Sequence, residues 1–293
     1  HLLEELLSSD NEILVFDNFI TGKKENIEFK GNFKLIEDDF GNKNSLNLIK
    51  EFNPQICFHL AAQSSVVVSV DDPLLDFEHN ILQPVQLIKT LLSTDCSKFV
   101  FASSGGTIFG EPSILPTGEE DFAGEPESPY GIGKKKLNEI IKSMTINTHL
   151  SYSILNLSNV YGPRQDPHGE AGVVSIFSNK ILNNEKPIIY GDGEQTRDYI
   201  YVKDVVNALI LSSKIDSNLF LNIGTGIETS VNQLLETIKS EFASDVEPIY
   251  KESRKGELLR SVLNSSKAQK ELNWEPQFSL NKGIKEVVGW LKT

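Results

Sequence analysis

A tyrosine followed four positions later by a lysine is the pair in this sequence best suited to acid–base chemistry. Ser128-Pro129-Tyr130 opens a predicted helix that contains Lys134, and the spacing of Tyr130 and Lys134 places both side chains on one face of it. An ammonium beside a phenol favours the phenolate, which should lower the phenol pKa from about 10 towards neutral pH. The pair therefore predicts a general base for an alcohol proton, although the same spacing also occurs by chance in exposed helices.

A strand that ends in serine and glycine precedes this helix. Phe99–Ala102 is a strand-like apolar run, and Ser103-Ser104-Gly105-Gly106-Thr107 follows it directly. The carboxyl end of such a strand is the edge at which doubly wound sheets bind dinucleotides. This position makes the tyrosine and lysine pair a stronger candidate than its spacing alone.

Apolar runs alternate with helical stretches through the first half of the chain. The predicted strands are Ile13–Phe16, Phe33–Ile36, Ile56–Leu60, Phe99–Ala102 and Tyr152–Leu155, and the predicted helices are Ser45–Phe52, Leu82–Ser93 and Gly133–Thr145. This alternation indicates an α/β fold with a parallel sheet covered by helices on both faces.

After about Gly162 the pattern changes to loops, short strands and the helices Val173–Leu182, Val202–Ser213 and Val231–Phe242. We therefore expect a cofactor domain at residues 1–162 and a smaller substrate-binding lobe at residues 163–293, with segments that return to the first domain.

Acidic residues close the first two predicted strands, where a dinucleotide-binding sheet holds the adenosine. Asp17 is followed by Asn18, and an acid there favours NAD over NADP because it would repel a 2′-phosphate. Asp39, followed by Phe40, could accept a hydrogen bond from the adenine amino group. Turn-forming or solvated acids would fit both positions equally well. His1–Leu7 has the pattern of an uncapped helix, so we expect a first strand and a glycine-rich loop before it.

The composition disfavours several classes of protein. A formal net charge of −13 argues against a general nucleic-acid binder, and no apolar run approaches the roughly 20 residues that span a bilayer. Cys57 and Cys96 lack metal-ligand or redox spacing, which is typical of reduced packing thiols in a cytoplasmic protein. His59 has no second ligand near it in sequence, so we predict no metal site.

Several segments together resemble the extended short-chain dehydrogenase/reductase family, and within it the NAD-dependent epimerases and dehydratases. The segments are Val100–Gly110, Ser128–Lys134, Ser158–Arg164 and Gly191–Ile200. The likeness is greatest to nucleotide-sugar 4-epimerases of the UDP-glucose 4-epimerase type. It implies a Rossmann-type doubly wound parallel sheet with a smaller C-terminal lobe.

This resemblance implies a transient oxidation of a UDP-sugar. Tyr130 would take the proton of the sugar 4-hydroxyl while NAD+ accepts the C4 hydride, and Lys134 would also hold the nicotinamide ribose. The 4-keto sugar would then swing about its diphosphate link, and the hydride would return to the opposite face.

The resemblance also implies the contact residues. Towards NAD they are Asp17, Asn18, Asp39, Phe40, Leu60, Ala61, Ala62, Asn80, Ser103, Tyr130 and Lys134. Towards the UDP-sugar they are Asn159, Val173, Ile188, Tyr190, Arg197, Arg254, Glu257 and Ser261. Arg197 and Arg254 would bind the diphosphate and Glu257 the uridine ribose. Ser261 would border the C2 substituent, where its small side chain leaves room for an N-acetyl group.

One position departs from the family pattern. Counting back from Phe109-Gly110, the usual active-site serine or threonine falls on Gly105. Ser104 lies one position before it and Thr107 two after. Because residues two apart in an extended chain share a face, we expect Thr107 to contact the sugar oxygen, with Ser104 as the other candidate.

Alternative functions stay open at this point. A sugar-nucleotide 4,6-dehydratase or decarboxylase would need an added acid or base, whereas this chain has Gly105-Gly106-Thr107 at the usual place. A non-catalytic nucleotide-binding protein would not need an intact Tyr130 and Lys134. The helices Leu82–Ser93 and Gly133–Thr145 resemble the dimer surface of the family, so we expect a homodimer.

Overall fold

The computed structural model describes residues 1–28, 31–121, 124–168, 172–253 and 258–293. The strands are β1 (Ile13–Phe16), β2 (Phe33–Ile36), β3 (Ile56–His59), β4 (Lys98–Ser104), β5 (Ser151–Leu157), β6 (Asn159–Tyr161), β7 (Ile188–Tyr190), β8 (Thr196–Arg197), β9 (Tyr199–Tyr201), β10 (Leu219–Ile223), β11 (Thr229–Ser230), β12 (Ile249–Lys251) and β13 (Arg260–Ser261).

The α-helices are α1 (Leu2–Leu6), α2 (Lys43–Phe52), α3 (Val66–Asp71), α4 (Pro73–Phe77), α5 (Gln83–Leu91), α6 (Pro129–Met144), α7 (Val173–Leu182), α8 (Val202–Ser213), α9 (Val231–Phe242), α10 (Ser266–Leu272) and α11 (Leu280–Leu291). A 3-10 turn covers Lys24–Ile27, and a π-helical turn covers Glu78–Leu82. Within the described ranges, no helix is both long and apolar enough to cross a membrane.

A parallel sheet with strand order β10-β5-β4-β3 forms the centre of the molecule, and β1 and β2 form a second parallel ladder. The predicted parallel α/β sheet is confirmed. Side chains alternate along β4, so that Phe99 and Phe101 pack towards α5 and α6 whereas Val100 packs towards α8 and α10. Helices therefore cover both faces, as the near-continuous apolar strands predict.

A second apolar cluster lies in the C-terminal half, where α7, α9 and α11 pack around the rings of Tyr161, Tyr199 and Tyr201. Strands β6 and β9 pair beside it, and Asn159 donates its backbone N–H to the carbonyl of Asp198. The chain then returns to the central sheet, because β10 pairs with β5. The division into domains at residues 162 and 163 stays a prediction.

The predicted helices α7, α8 and α9 have the bounds that the sequence indicates, whereas α2 begins at Lys43, two residues before the predicted Ser45. Helix α6 begins at Pro129, where Ser128-Pro129-Tyr130 predicts its opening and before the apolar pattern from Gly133, because the Ser128 hydroxyl accepts the Gly131 N–H as an N-cap. Helical structure also begins before Leu82, since α4 and the π turn lead directly into α5. Tyr130 consequently lies in the first turn of α6.

Candidate active site

Tyr130 and Lys134 project from one face of α6 towards the carboxyl end of β4. The Lys134 ammonium lies 5.8 Å from the centre of the Tyr130 ring and 4.7 Å from that of Phe101, and it donates to the Ala102 carbonyl at 3.2 Å. Only 4% of Lys134 is exposed. The spacing of the two residues thus produces the predicted shared face.

The prediction that Lys134 lowers the pKa of Tyr130 towards neutral pH is wrong for the protein without its ligands. Burial raises the pKa of Tyr130 to about 12, a hydrogen bond with Ser104 opposes the rise, and the charge of Asp76 adds to it. The cost of removing a phenolate from water therefore exceeds the stabilisation that the neighbouring ammonium gives. Further positive charge near the ring is needed before the phenol can act as a base near neutral pH.

Burial lowers the pKa of the lysine. The pKa of Lys134 falls to about 8 because burial disfavours its charged form, and the carboxylate of Asp76 opposes that fall. An ammonium that titrates near neutral pH is typical of residues that take part in proton transfer.

The hydroxyl next to the phenol belongs to Ser104, the last residue of β4. Residues 105–109 form a turn rather than an extended segment, in which Thr107 and Ile108 direct their backbone N–H groups to the Ser104 carbonyl. The prediction that Thr107 shares a face with Gly105 is therefore wrong, because it assumed an extended chain. The Thr107 hydroxyl oxygen is buried and has no hydrogen-bond partner in the described part of the chain.

Gly105 has little room for a side chain. A Cβ on Gly105 would lie 2.4 Å from Cδ1 of Leu263, which packs over this turn as part of the core. Leu263 is held by Asp198, a residue only 1% exposed that accepts the backbone N–H of Leu263 at 3.3 Å. Glycine at position 105, where the family has serine or threonine, therefore packs against a residue from the C-terminal half of the chain.

The residues expected to bind adenosine lie at the carboxyl ends of β1 and β2. Asn18 donates to the Asp39 carboxylate at 3.3 Å, and Asp17 accepts the backbone N–H of Phe19 at 2.8 Å. Phe40 packs edge-on against His59, with ring centres 5.0 Å apart. Asp17 is exposed, so its carboxylate can accept from a bound ribose.

The residues expected to approach the rest of the cofactor lie after β3, near the end of β4 and in the π-helical turn. Leu60 and Ala61 are exposed after the end of β3, and Ala62 is half-buried. Ser103 and Asn80 are 5% and 2% exposed, yet Oγ of Ser103 and Oδ1 of Asn80 have no hydrogen-bond partner among the residues described. Buried polar atoms normally have partners, so these two atoms fit a bound polar group such as the nicotinamide ribose and amide of NAD.

The expected sugar-nucleotide residues belong to several short elements of the C-terminal half. Asn159 begins β6, and its amide oxygen would lie 3.8 Å from a Cβ on Gly106. Arg197 in β8 pairs in register with Ser261 in β13. The remaining predicted residues lie at the start of α7 or in β7, and they are Val173, Ile188 and Tyr190. Arg254 and Glu257 lie outside the described residues.

Sequence reasoning missed Asp76, a residue of α4 that is fully buried. Its carboxylate accepts from the side-chain amides of Gln63 at 2.8 Å and Asn80 at 2.9 Å, and it interacts electrostatically with Lys134. The available signal was its spacing, because Asp76 precedes Asn80 by one helical turn.

The sequence matches one family model, and the fold is similar to that of several solved structures. The family model described as GDP-mannose 4,6 dehydratase matches residues 1–287. The fold is similar to that of a UDP-glucose 4-epimerase from Thermotoga maritima, solved with UDP-glucose, at 40% identity and a TM-score of 0.96. It is also similar to a UDP-glucose 4-epimerase from Thermus thermophilus, solved with NAD, at 35% identity and a TM-score of 0.91.

A third similar structure has a different sugar in its name. It is a UDP-N-acetylglucosamine 4-epimerase from Methanobrevibacter ruminantium in complex with UDP-N-acetylmuramic acid, at 32% identity and a TM-score of 0.92. The three alignments cover 99 to 100% of this chain and 93 to 94% of the other chains.

Proposed function

The chain belongs to the GDP-mannose 4,6-dehydratase family of extended short-chain dehydrogenases/reductases, and on that premise we propose that it is an NAD-dependent 4-epimerase of UDP-hexoses. The observation that carries the proposal is the arrangement of Ser104, Tyr130 and Lys134 at the carboxyl end of β4. A phenol, a hydroxyl and an ammonium meet there at the edge of a parallel sheet.

The chemistry divides between the cofactor and the side chains. NAD, when bound, supplies a reversible hydride acceptor and a positively charged ring. Tyr130 takes the proton of the sugar 4-hydroxyl and returns it to O4 after the sugar has turned its other face to the site. Ser104 stabilises the phenolate by a hydrogen bond, and the Lys134 ammonium stabilises it by its charge.

Other residues hold the two ligands in register. Asp17 binds the adenosine ribose, while Asn80 and Ser103 offer their unpartnered oxygens to the nicotinamide half of the cofactor. Asn159 and Arg197 bind the diphosphate of the sugar nucleotide, since a guanidinium fork suits phosphate oxygens.

The alternative dehydratase chemistry has less support in the site. Residues 103–110 contain no carboxylate that could drive elimination from the sugar, and every one of them is described. The two activities differ in the mass of the product, which is unchanged for an epimerase and lower by one water for a dehydratase. Mass spectrometry of the product of UDP-glucose separates them, and loss of water would overturn the epimerase proposal.

Substitution Tyr130→Phe tests the assigned base. We expect the protein to retain NAD, because the phenyl ring keeps its packing, while interconversion of UDP-glucose and UDP-galactose falls by about 10²- to 10⁴-fold. Full activity in this variant would show that another group moves the proton. Tyr130 and Lys134 would then have a non-catalytic role.

The substrate range extends to N-acetylated sugars in this proposal. Ser261 is a small residue that pairs in register with Arg197, so it leaves space beside the diphosphate-binding residue. We expect turnover of UDP-GalNAc as well as UDP-galactose, and we expect Ser261→Tyr to reduce only the former. Turnover of UDP-galactose together with none of UDP-GalNAc would remove this extension.

A homodimer is part of the proposal, and exposed apolar side chains on α3, α4 and the turn before α5 support it. Val70 is 61% exposed, Leu74 is 79% exposed and Leu82 is 52% exposed. Large apolar side chains exposed on neighbouring elements fit an interface when they form one patch. Light scattering after size exclusion should give the mass of a dimer, and Leu74→Lys should lower it; a monomer at micromolar concentration would exclude the assembly.

We place the protein in the cytoplasm, with residues 1–162 as the NAD-binding domain and residues 163–293 as the sugar-nucleotide lobe. The two cysteines support this location, because Cys57 and Cys96 are both free thiols.

A further inference from the structure

Asp76 has a carboxylate oxygen without a hydrogen-bond partner in the interior of the protein. Its Oδ1 accepts from Gln63 and Asn80, whereas its Oδ2 is buried and has no such partner among the described residues. Burying a charged oxygen without a partner is costly unless an opposite charge lies nearby. An opposite charge on this side of Asp76 would offset that cost.

Helix α6 approaches Asp76 with a glycine at the point of contact. A Cβ on Gly133 would lie 3.3 Å from Oδ2 of Asp76, which is closer than an ordinary contact. Glycine inside a helix costs about 0.5–1 kcal/mol relative to alanine, so its presence in α6 needs a reason. The close approach of the carboxylate is that reason, and Lys134 is the next residue along the helix.

The charged and titratable groups around this contact come from several elements. Lys134 from α6 and His79 from the π turn favour the charged form of Asp76, although burial raises the pKa of that carboxyl. Tyr130 lies within range of the Asp76 charge, and His59 of β3 lies within range of the Lys134 charge. Among these groups Lys134 is the only lysine or arginine.

We propose that Asp76 is a positioning residue of this site, the counter-ion that keeps the buried Lys134 ammonium charged. The side-chain amides of Gln63 and Asn80 fix the carboxylate, and Gly133 leaves it space to approach α6. Its consequence for catalysis rests on the proposed function, whereas the pairing of the two charges does not.

Stability measured against pH tests the pairing without NAD or substrate. The pKa of Lys134 is about 8 in the folded protein and about 10.4 in the unfolded chain, so stability rises with pH between these values and is constant below them. Asp76→Asn keeps the shape and one acceptor oxygen but removes the charge. The folded pKa of Lys134 should then fall by about one unit, which extends the rise to about pH 7.

Urea unfolding of the wild-type protein and of Asp76→Asn between pH 6 and about pH 10 gives the difference in their free energies of unfolding at each pH. Lys98 also titrates near pH 8, but it does so in both proteins and cancels in the difference. Asp204→Asn is the matched control, because Asp204 is a buried carboxylate with Lys282 as its charged neighbour. A difference curve for Asp76→Asn as flat as that for the control between about pH 7 and pH 8 would overturn the pairing.

A comparison of Lys134→Met with the double variant keeps the proposal testable if Asp76→Asn alone fails to fold. Lys134→Met leaves the Asp76 carboxylate buried without its counter-charge, so adding Asp76→Asn to that variant should recover about tenfold or more in the unfolding equilibrium constant. No recovery in the double variant would show that the Asp76 charge does not depend on Lys134.

The activity of the same variants distinguishes this inference from the proposed function. In Asp76→Asn the limb of the kcat/KM profile for UDP-galactose that Lys134 sets should move to lower pH by about one unit, because Lys134 loses its proton sooner. An unmoved limb would exclude a catalytic consequence. Inactivity of every protein, together with the expected stability curves, would instead contradict the epimerase proposal and leave the pairing intact.

Discussion

Replacing Ser104 with alanine would remove the hydroxyl that is hydrogen bonded to the Tyr130 phenol. That hydroxyl stabilises the phenolate, so its loss raises a tyrosine pKa that already stands at about 12. A hydrogen bond to a charged group contributes about 1.5–3 kcal/mol, and 1.36 kcal/mol corresponds to one pKa unit. The pKa of Tyr130 should therefore rise by a further one to two units, roughly.

The higher pKa of Tyr130 should shift the pH profile of kcat/KM in one direction. Activity needs the phenolate, so kcat/KM increases with pH below the tyrosine pKa, and this limb should move to higher pH in Ser104→Ala. At a fixed pH on the limb, kcat/KM for UDP-galactose should fall by about 10- to 100-fold. A coupled assay over a range of pH measures both quantities.

Thr107→Val is the matched control, because it removes a hydroxyl from the same turn while keeping the shape of the side chain. Ser104 is the residue whose hydroxyl is hydrogen bonded to the Tyr130 phenol, so we expect Thr107→Val to change kcat/KM by less than about twofold. The reasoning fails if Ser104→Ala keeps its activity and its pH limb. It also fails if Thr107→Val is the more damaging change, which would return the role to Thr107.

Three changes away from the active site test the packing and charges of the fold. Gly283→Ala should lower the free energy of unfolding by about 1–3 kcal/mol in urea titrations, because its Cβ would lie 2.0 Å from the hydroxyl oxygen of Tyr161; unchanged stability would mean that α11 packs differently. Lys98→Met should cost about 2–4 kcal/mol by the same method, since the Lys98 ammonium donates to three backbone carbonyls, and a cost below 1 kcal/mol would contradict its bonding. Arg260→Ala should change stability by less than about 1 kcal/mol, because its ion pair with Glu228 is largely exposed, and a larger loss would show that the pair is shielded from water.

Much of the layered fold could be predicted from the sequence because its strands are apolar and its helices amphipathic. The bounds of β1, β2, α7, α8 and α9 agree with the sequence pattern. The errors arise where local pattern is weak. The helical structure before α5 begins well before the predicted start at Leu82, in short segments that include a π-helical turn.

The candidate site shows the same division. The face shared by Tyr130 and Lys134 follows from helical geometry, so a four-residue spacing was sufficient to predict it. The choice between Ser104 and Thr107 depended on whether residues 105–109 are extended or turned, and two adjacent glycines permit both. Only the folded chain decides it, because Leu263 from a distant segment packs against Gly105.

The sequence by itself determined the order of strands and helices, the shared face of the reactive pair and the resemblance to a family. These properties depend on neighbours a few residues apart. The tertiary structure alone decided how far each group is removed from water and which charge lies opposite it. Burial raises the pKa of Tyr130, and the charge of Asp76 opposes the effect of burial on the pKa of Lys134. Both effects arise from residues far apart in the chain, because desolvation and Coulomb interactions depend on distance in space.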